Sequence, residues 1–290
     1  MSITIKLEEE EFKYRGWVRV LGIIFPYLII VGIFQYIGAS VVGIDVENLE
    51  THESTYQHLA INFFSLTGTF FVIWLFMKFV DKEPFIKVGF YTKNRLNDFV
   101  VGILIGLIIM TLGYGYLLLT NQIYFDKLNY NLTELIQTIA LFITVSIAEE
   151  MLLRGYILKN LLFSFNKYIA LLVSSILFSL MHSFNPNVDF FSLFNLFLAG
   201  ILLGLSYIHT RNLWFPIALH LSWNLFQTLY GFNVSGQDVY SLIEFKMNEP
   251  NLINGGLFGF EGSYLSIIAQ IITITAIAFY YKRKKELRVV

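Results

Sequence analysis

Long apolar runs alternate with short polar segments along this chain, and the pattern predicts its architecture. A helix needs about 20 mostly apolar residues to cross the hydrocarbon core of a bilayer. Runs of about this size occur at 17–42, 58–80, 98–120, 133–162, 167–184, 190–209, 213–230 and 264–281. We therefore expect an all-α fold, a polytopic membrane helical bundle with about eight transmembrane helices.

The composition supports this prediction and narrows the class of protein. Of the 290 residues, 56% are hydrophobic and 14% are charged, and the mean hydropathy is +0.63. Soluble globular domains carry about 25% charged residues. Because the polar segments between the runs are short, we expect residues 1–290 to form a single multi-pass domain in the cell membrane.

The distribution of Lys and Arg predicts the orientation in the membrane. If the N-terminus is cytoplasmic, 17 of the 20 basic residues fall in cytoplasmic segments, and only Lys127 and Lys246 fall outside. Arg154 lies within a run and belongs to neither side. Cytoplasmic loops of membrane proteins are enriched in Lys and Arg, so both termini are predicted to be cytoplasmic.

The cysteine count and the net charge narrow the possible chemistry and partners. The chain has no cysteine, which rules out disulfides, thiolate zinc sites and a cysteine nucleophile. The formal net charge is −1, so nothing in the bulk charge favours nucleic acid as a partner. The lipid bilayer is the partner that the composition does predict.

The fourth run contains charged residues that need an explanation. Glu149, Glu150 and Arg154 lie in the segment SIAEEMLLRG, surrounded by apolar residues. An ionisable group at the centre of a membrane helix costs about 2.5–3.5 kcal/mol on insertion scales. Glu150 and Arg154 are four residues apart and can pair on one helix face, whereas Glu149 points about 100° away. A buried ion pair that fixes helix register explains two of the three charges and leaves Glu149 unexplained.

Other polar residues in the later runs add to this group. His182 and His220 lie within predicted spans, and Asn224 follows His220 by one helical turn. The remaining histidines, His52, His58 and His209, are predicted to be solvated or interfacial. Taken singly, a core histidine or an asparagine that bonds a neighbouring helix is an ordinary packing residue. Two histidines with two carboxylates can also polarise water or bind a divalent metal.

Three short motifs resemble those of one known family. They are E-E-x-x-x-R, F-x-x-x-H and H-x-x-x-N, formed by Glu149, Glu150 and Arg154, by Phe178 and His182, and by His220 and Asn224. In this order they resemble the CPBP family, which includes the CAAX prenyl endopeptidases of the Rce1 type and bacteriocin-processing and self-immunity proteins. The motifs cover residues 149–224, and each is short when taken alone.

The resemblance implies an intramembrane endopeptidase that acts on a membrane-associated peptide or protein. It implies that Glu149 and His182 activate water, and that His220 and Asn224 stabilise the oxyanion. Glu150, Arg154 and Phe178 would then support the site. The cofactor stays open between a divalent metal such as zinc, with Glu150, His182 and His220 as ligands, and glutamate chemistry without a metal.

Two other functions are compatible with the same residues. A non-catalytic membrane scaffold or bacteriocin-immunity protein would use the fold to hold a partner. A transporter would use intramembrane Glu and His as an ion path, but transporters often have helices broken by paired Gly or Pro. The loop at 231–263 is predicted to be either a plain connector or a cap over one end of the bundle.

Overall fold

The helices of the protein correspond one to one with the apolar runs of the sequence. The computed structural model describes residues 2–44 and 54–286, and of residues 2–15 and 285 only the backbone. The helices are α1 Ser2–Val41, α2 Thr55–Asp81, α3 Leu96–Leu119, α4 Leu132–Ser164, α5 Lys167–Met181, α6 Phe190–Thr210, α7 Trp214–Leu229 and α8 Tyr264–Glu286. The predicted all-α membrane bundle is confirmed.

Two of the helices are shorter than the sequence predicted. Among the described residues, six helices are long and apolar enough to cross a membrane, which makes this a multi-pass membrane protein. The other two, α5 and α7, have 15 and 16 residues. At a rise of 1.5 Å per residue they extend about 22–24 Å, less than the roughly 30 Å of a hydrocarbon core. One end of each must therefore lie inside the bilayer depth.

Several helices are preceded by a polar residue that caps them. Its side chain accepts hydrogen bonds from backbone N–H groups of the first turn, which have no partner within the helix. Asn131 starts α4 by accepting hydrogen bonds from the N–H groups of residues 133 and 134. Asn166 starts α5 in the same way, and Asp189 caps α6. Asn166 restarts the helix only two residues after α4 ends, so α4 and α5 form a tight antiparallel hairpin.

Two glycines let α3 pack closely on α7, the helix that carries His220. Gly102 and Gly106 of α3 form a G-x-x-x-G pair. A Cβ atom built on Gly106 would lie 2.8 Å from the backbone nitrogen of Trp223. Ser222 of α7 donates a hydrogen bond to the carbonyl of Gly102 at 3.1 Å. Small residues of this spacing let two backbones approach, and here they fix the position of α7.

The long loop after α7 covers one end of the bundle. Strand β2 (Ile243–Lys246) pairs antiparallel with β1 (Tyr124–Leu128), which lies between α3 and α4. Gln227 at the end of α7 donates to the carbonyl of Asn233 at 2.6 Å, and Asn233 donates to the carbonyl of Leu257 at 2.8 Å. The sequence predicted either a connector or a cap for this segment, and the structure shows a cap. We call this end of the molecule the cap end.

The opposite end holds an ion network, and we call it the basic end. Arg19 of α1 lies 3.2 Å from Asp81 at the end of α2. Lys159 of α4 pairs with Glu83 just beyond α2, and Lys87 pairs with the same carboxylate. Partial burial acts to raise the pKa of the Glu83 carboxyl, but the two ammonium groups outweigh it and hold the pKa below its usual value. These contacts join α1, α2 and α4.

The glycine packing of α3 leads to a stability prediction. Gly106→Ala should lower the thermal unfolding midpoint of the purified protein, because the new methyl group meets the α7 backbone and overpacking costs about 1–3 kcal/mol. Gly115 lies on the same helix with open space around its Cα, so Gly115→Ala is the matched control. It should leave the midpoint unchanged or raise it slightly. Equal effects of the two variants would contradict the close approach of α3 and α7.

Candidate active site

Helix α4 changes its winding where it carries the two glutamates. The segment Leu132–Glu150 is α-helical, and Met151–Leu158 continues as a π-helix in which every residue is buried. Short π-helical segments are rare and occur frequently at functional sites. The change of winding begins immediately after Glu150. The two glutamates therefore end the α-helical part, and Arg154 lies in the π-helical part.

A buried carboxylate ties three helices together at this point. Oε1 of Glu150 accepts a hydrogen bond from Arg154 at 2.8 Å and a second from Nδ1 of His220 on α7 at 2.9 Å. The guanidinium also donates to the carbonyl of Gly200 on α6 at 3.2 Å. Glu150 and Arg154 are both fully buried. The pair predicted from the four-residue spacing therefore forms, and His220 and Gly200 complete it.

The aromatic ring of Phe178 fills the space beside this array. The Arg154 guanidinium lies 4.6 Å from the centre of the ring. The rings of His182 and His220 lie 4.8 Å and 6.1 Å from it. A guanidinium over an aromatic face is attracted by the ring quadrupole, more strongly when water is excluded. Phe178 thus holds one cation and two imidazoles in fixed positions.

The two imidazoles are oriented by hydrogen bonds to their Nδ1 atoms. His182 is the first residue after α5, and its Nδ1 lies 2.8 Å from the carbonyl oxygen of Phe178. A carbonyl only accepts, so Nδ1 of His182 carries the proton. The carboxylate of Glu150 fixes a proton on Nδ1 of His220 in the same way. Both rings consequently direct Nε2 away from these partners, toward Glu149.

Glu149 lies between the two imidazole nitrogens and bonds to neither. Its Oε2 is 4.0 Å from Nε2 of His182 and 4.0 Å from Nε2 of His220. Within the described part of the chain this oxygen has no hydrogen-bond partner. A separation of 4.0 Å is too long for a direct hydrogen bond. One oxygen atom between the groups can lie at about 2.8 Å from both a carboxylate oxygen and an imidazole nitrogen.

The relative depth of the two histidines could not be derived from the sequence. His182 follows the last residue of α5, whereas His220 lies in the middle of α7. Because α5 is only 15 residues long, its end lies inside the bundle and not at its surface. The short helix therefore brings His182 to the level of His220.

These groups open into a cavity of about 220 Å³. Glu149, His182, His220 and Asn224 line it, together with apolar side chains such as Trp223. A water molecule occupies about 30 Å³ in the liquid, so the cavity has room for water and part of a peptide. Asn224 is 6% exposed and lies one turn beyond His220 on the same wall.

Several cavity residues were not predicted from the sequence. His58, expected to be solvated or interfacial, is half-buried and lines the cavity from the first turn of α2. Glu261 in the cap accepts hydrogen bonds from the backbone and hydroxyl of Ser235, both at 2.8 Å. Asn185 donates to the carbonyl of Ser235 at 3.0 Å. In the sequence, Glu261 lies between two glycines in the segment GFEGS, and this was the available signal that it belongs to a tightly packed loop. His52 lies outside the described residues.

The predicted metal ligands do not meet as a ligand group. Among the described residues, no three or more His, Cys, Asp or Glu side chains are arranged to hold a metal ion. Oε1 of Glu150 faces Arg154 and Nδ1 of His220. Nε2 of His182 faces Glu149 instead. The side chains present do not fit a centre built from Glu150, His182 and His220.

The segment that contains the three motifs is similar to known proteins. Residues 131–226 match the family described as Type II CAAX prenyl endopeptidase Rce1-like. "Putative membrane peptidase YdiL" of Bacillus subtilis (strain 168) is 30% identical over 130 residues, 43% of this chain and 50% of that protein. The match thus spans about half the length of this curated relative. No solved structure matches. The family resemblance of the three motifs is confirmed over this segment.

The buried array leads to a prediction about stability. Arg154→Met should lower the free energy of unfolding by about 3–5 kcal/mol, because it leaves the Glu150 carboxylate buried without its cation. Adding Glu150→Gln to this variant removes the unpaired charge, so the double variant should be more stable than Arg154→Met alone. Thermal and denaturant unfolding in detergent measure both. A double variant as unstable as the sum of the single changes would show that the pair is not coupled.

Proposed function

We propose that the protein is an intramembrane endopeptidase that hydrolyses a peptide bond in a membrane-associated peptide or protein. The observation that carries the proposal is the unpartnered Oε2 of Glu149, 4.0 Å from Nε2 of each histidine at the wall of a cavity. Peptide hydrolysis requires a base for water and donors for the developing negative charge. The match to an endopeptidase family over residues 131–226 supports the same reaction.

In this proposal Glu149 and His182 hold and activate the attacking water. Neutral His182 carries its proton on Nδ1, so Nε2 accepts one hydrogen of the water. Oε2 of Glu149 accepts the other hydrogen and takes that proton as the water oxygen bonds to the carbonyl carbon. The fixed positions of both acceptors leave a lone pair of the water directed at the substrate.

His220 and Asn224 stabilise the oxyanion of the tetrahedral intermediate. The amide of Asn224 donates through Nδ2, and His220 donates through Nε2 when the ring carries a second proton. The carboxylate of Glu150 lies 2.9 Å from Nδ1 and stabilises that imidazolium. Arg154 holds this carboxylate in place by a hydrogen bond at 2.8 Å. The C–N bond then breaks as Glu149 returns its proton to the leaving amine nitrogen.

The substrate reaches this site from the cap end. His58, Asn185, Ser235 and Glu261 line the cavity, and all four belong to the ends and loops on that side of the bundle. The Lys and Arg distribution predicts that the cap end lies on the non-cytoplasmic side. The substrate class that fits is therefore a leader or signalling peptide, or a membrane-protein segment, presented from outside the cytoplasm.

Substitution of the base tests the proposal directly. Glu149→Gln should abolish cleavage while the protein stays folded, because an amide cannot accept the proton of the water. The measurement compares membrane and secreted peptides of cells that express the wild type with those of cells that express the variant. Glu134→Gln is the matched control, since it changes a glutamate in the first turn of the same helix, α4. Its peptide profile should equal that of the wild type.

The same comparison separates the enzyme from the scaffold or immunity protein. If Glu149→Gln is folded in membranes and the peptide profile and cellular phenotype are unchanged, the endopeptidase proposal is wrong and a binding role is favoured. A product that disappears with Glu149→Gln and persists with Glu134→Gln also supplies the substrate for assays with purified protein.

The oxyanion role makes a separate kinetic prediction. With that substrate, Asn224→Ala should lower kcat by about 10²–10³-fold with little change in KM, as expected for the loss of one oxyanion donor. Asn224→Gln retains the amide but moves it by one methylene group, so partial activity is expected. A change confined to KM would assign Asn224 to substrate binding instead.

A further inference from the structure

A second cavity lies at the basic end and shares no lining residue with the candidate active-site cavity. It has a volume of about 730 Å³ and lies where the ends of α3, α5, α6 and α8 meet. Four basic side chains line it: Arg95 just before α3, Lys167 at the start of α5, and Lys282 and Lys284 of α8. His209 of α6 adds an imidazole ring. None of the residues that line it is acidic.

None of the three lysines of this cavity has an acidic partner in the described part of the structure. No carboxylate of the described residues lies within ion-pair distance of Lys167 or Lys282, although Arg95 is paired with Asp98 at 2.7 Å. Lys284 is directed to the hydroxyl of Tyr280 at 3.3 Å. Like charges that converge on one cavity repel each other, and an anion that enters it would offset the repulsion. The cavity therefore has an excess of positive charge.

The rest of the wall is suited to the membrane interface. Tyr168 and Tyr281 line the cavity, and the Tyr281 ring stacks on the His209 ring at 4.5 Å and 7°. Leu205 and Ala278 provide an apolar side. Tyrosine is enriched where membrane helices leave the hydrocarbon, because one end of the ring is apolar and the other is wet. A ligand here meets cations, hydroxyl groups and apolar surface together.

We infer that this cavity binds the phosphate-bearing headgroup of an anionic phospholipid. The positive-inside rule accounts for basic residues scattered over cytoplasmic loops. It does not require that four basic side chains from three helix ends line one cavity. Basic pockets between membrane helices are suited to anionic headgroups. Free phosphate shares the recognised chemistry but has no acyl chain to place against Leu205 and Ala278.

The experiment measures binding of short-chain lipids to the full-length protein in detergent. Dioctanoyl-phosphatidylglycerol is the anionic probe, dioctanoyl-phosphatidylcholine the zwitterionic comparison, and inorganic phosphate the competitor. The wild type should bind phosphatidylglycerol at least tenfold more tightly than phosphatidylcholine, and the anionic probe should raise the thermal unfolding midpoint. Equimolar inorganic phosphate should not displace it.

A matched pair of double variants locates the site. Lys167→Gln with Lys282→Gln removes two charges from the cavity and should weaken phosphatidylglycerol binding by about tenfold or more. Lys78→Gln with Lys93→Gln removes two exposed charges from the same end outside the cavity, and should change the affinity by less than about twofold. The single variants Lys167→Gln and Lys282→Gln replace the double variant if it elutes as an aggregate.

Three results would overturn the inference. Equal weakening by the two double variants would mean that diffuse surface charge attracts the lipid. Equal affinity for the two lipids would mean that no headgroup is recognised. Displacement by equimolar inorganic phosphate would assign the cavity to free phosphate and not to lipid. None of these results depends on proteolysis, because Glu149 and the histidines near it lie at another part of the bundle.

Discussion

The Glu150 carboxylate, shared by Arg154 and His220, is the interaction on which the rest of the site depends. A single oxygen joins α4 to α7 and, through the guanidinium and Gly200, to α6. Ionised groups away from water are costly, and a buried pair offsets this cost only if its geometry and hydrogen bonds are good. Here the pair also fixes the ring of His220, so the same contact that satisfies the charges directs Nε2 into the cavity.

Glu149 differs from its neighbour in exposure and in its contacts. The side chain of Glu150 is fully buried, and its Oε1 accepts two hydrogen bonds. The side chain of Glu149 is 25% exposed, and its Oε2 lies 4.0 Å from both imidazoles without a hydrogen-bond partner within the described residues. The π-helical segment that begins after Glu150 and the aromatic ring of Phe178 keep this difference in place.

The two ends of the bundle carry different chemistry. At the cap end, the segment after α7 adds Ser235 and Glu261 to the wall of the candidate active-site cavity. At the basic end, ion pairs join the first helices, and four basic side chains from three helix ends line a second cavity. Helix α5 contributes to both ends, since His182 follows one end of it and Lys167 begins the other. Lipid bound at the basic end would thus contact a helix that also positions a candidate catalytic residue.

The amino-acid sequence predicted the membrane class of the protein, the positions of its helices and the residues of its three motifs. Apolar runs indicate which segments lie in lipid, and the i,i+4 spacing of Glu150 and Arg154 is a local property of one helix. Convergence of separate helices is not local. Only the tertiary structure showed that short α5 brings His182 level with His220, that Glu149 lies between them, and that His58 and Glu261 belong to the same cavity. These contacts depend on the lengths of the helices, on their crossing angles and on the closure of the loops. The hydrophobic periodicity of the sequence does not predict them.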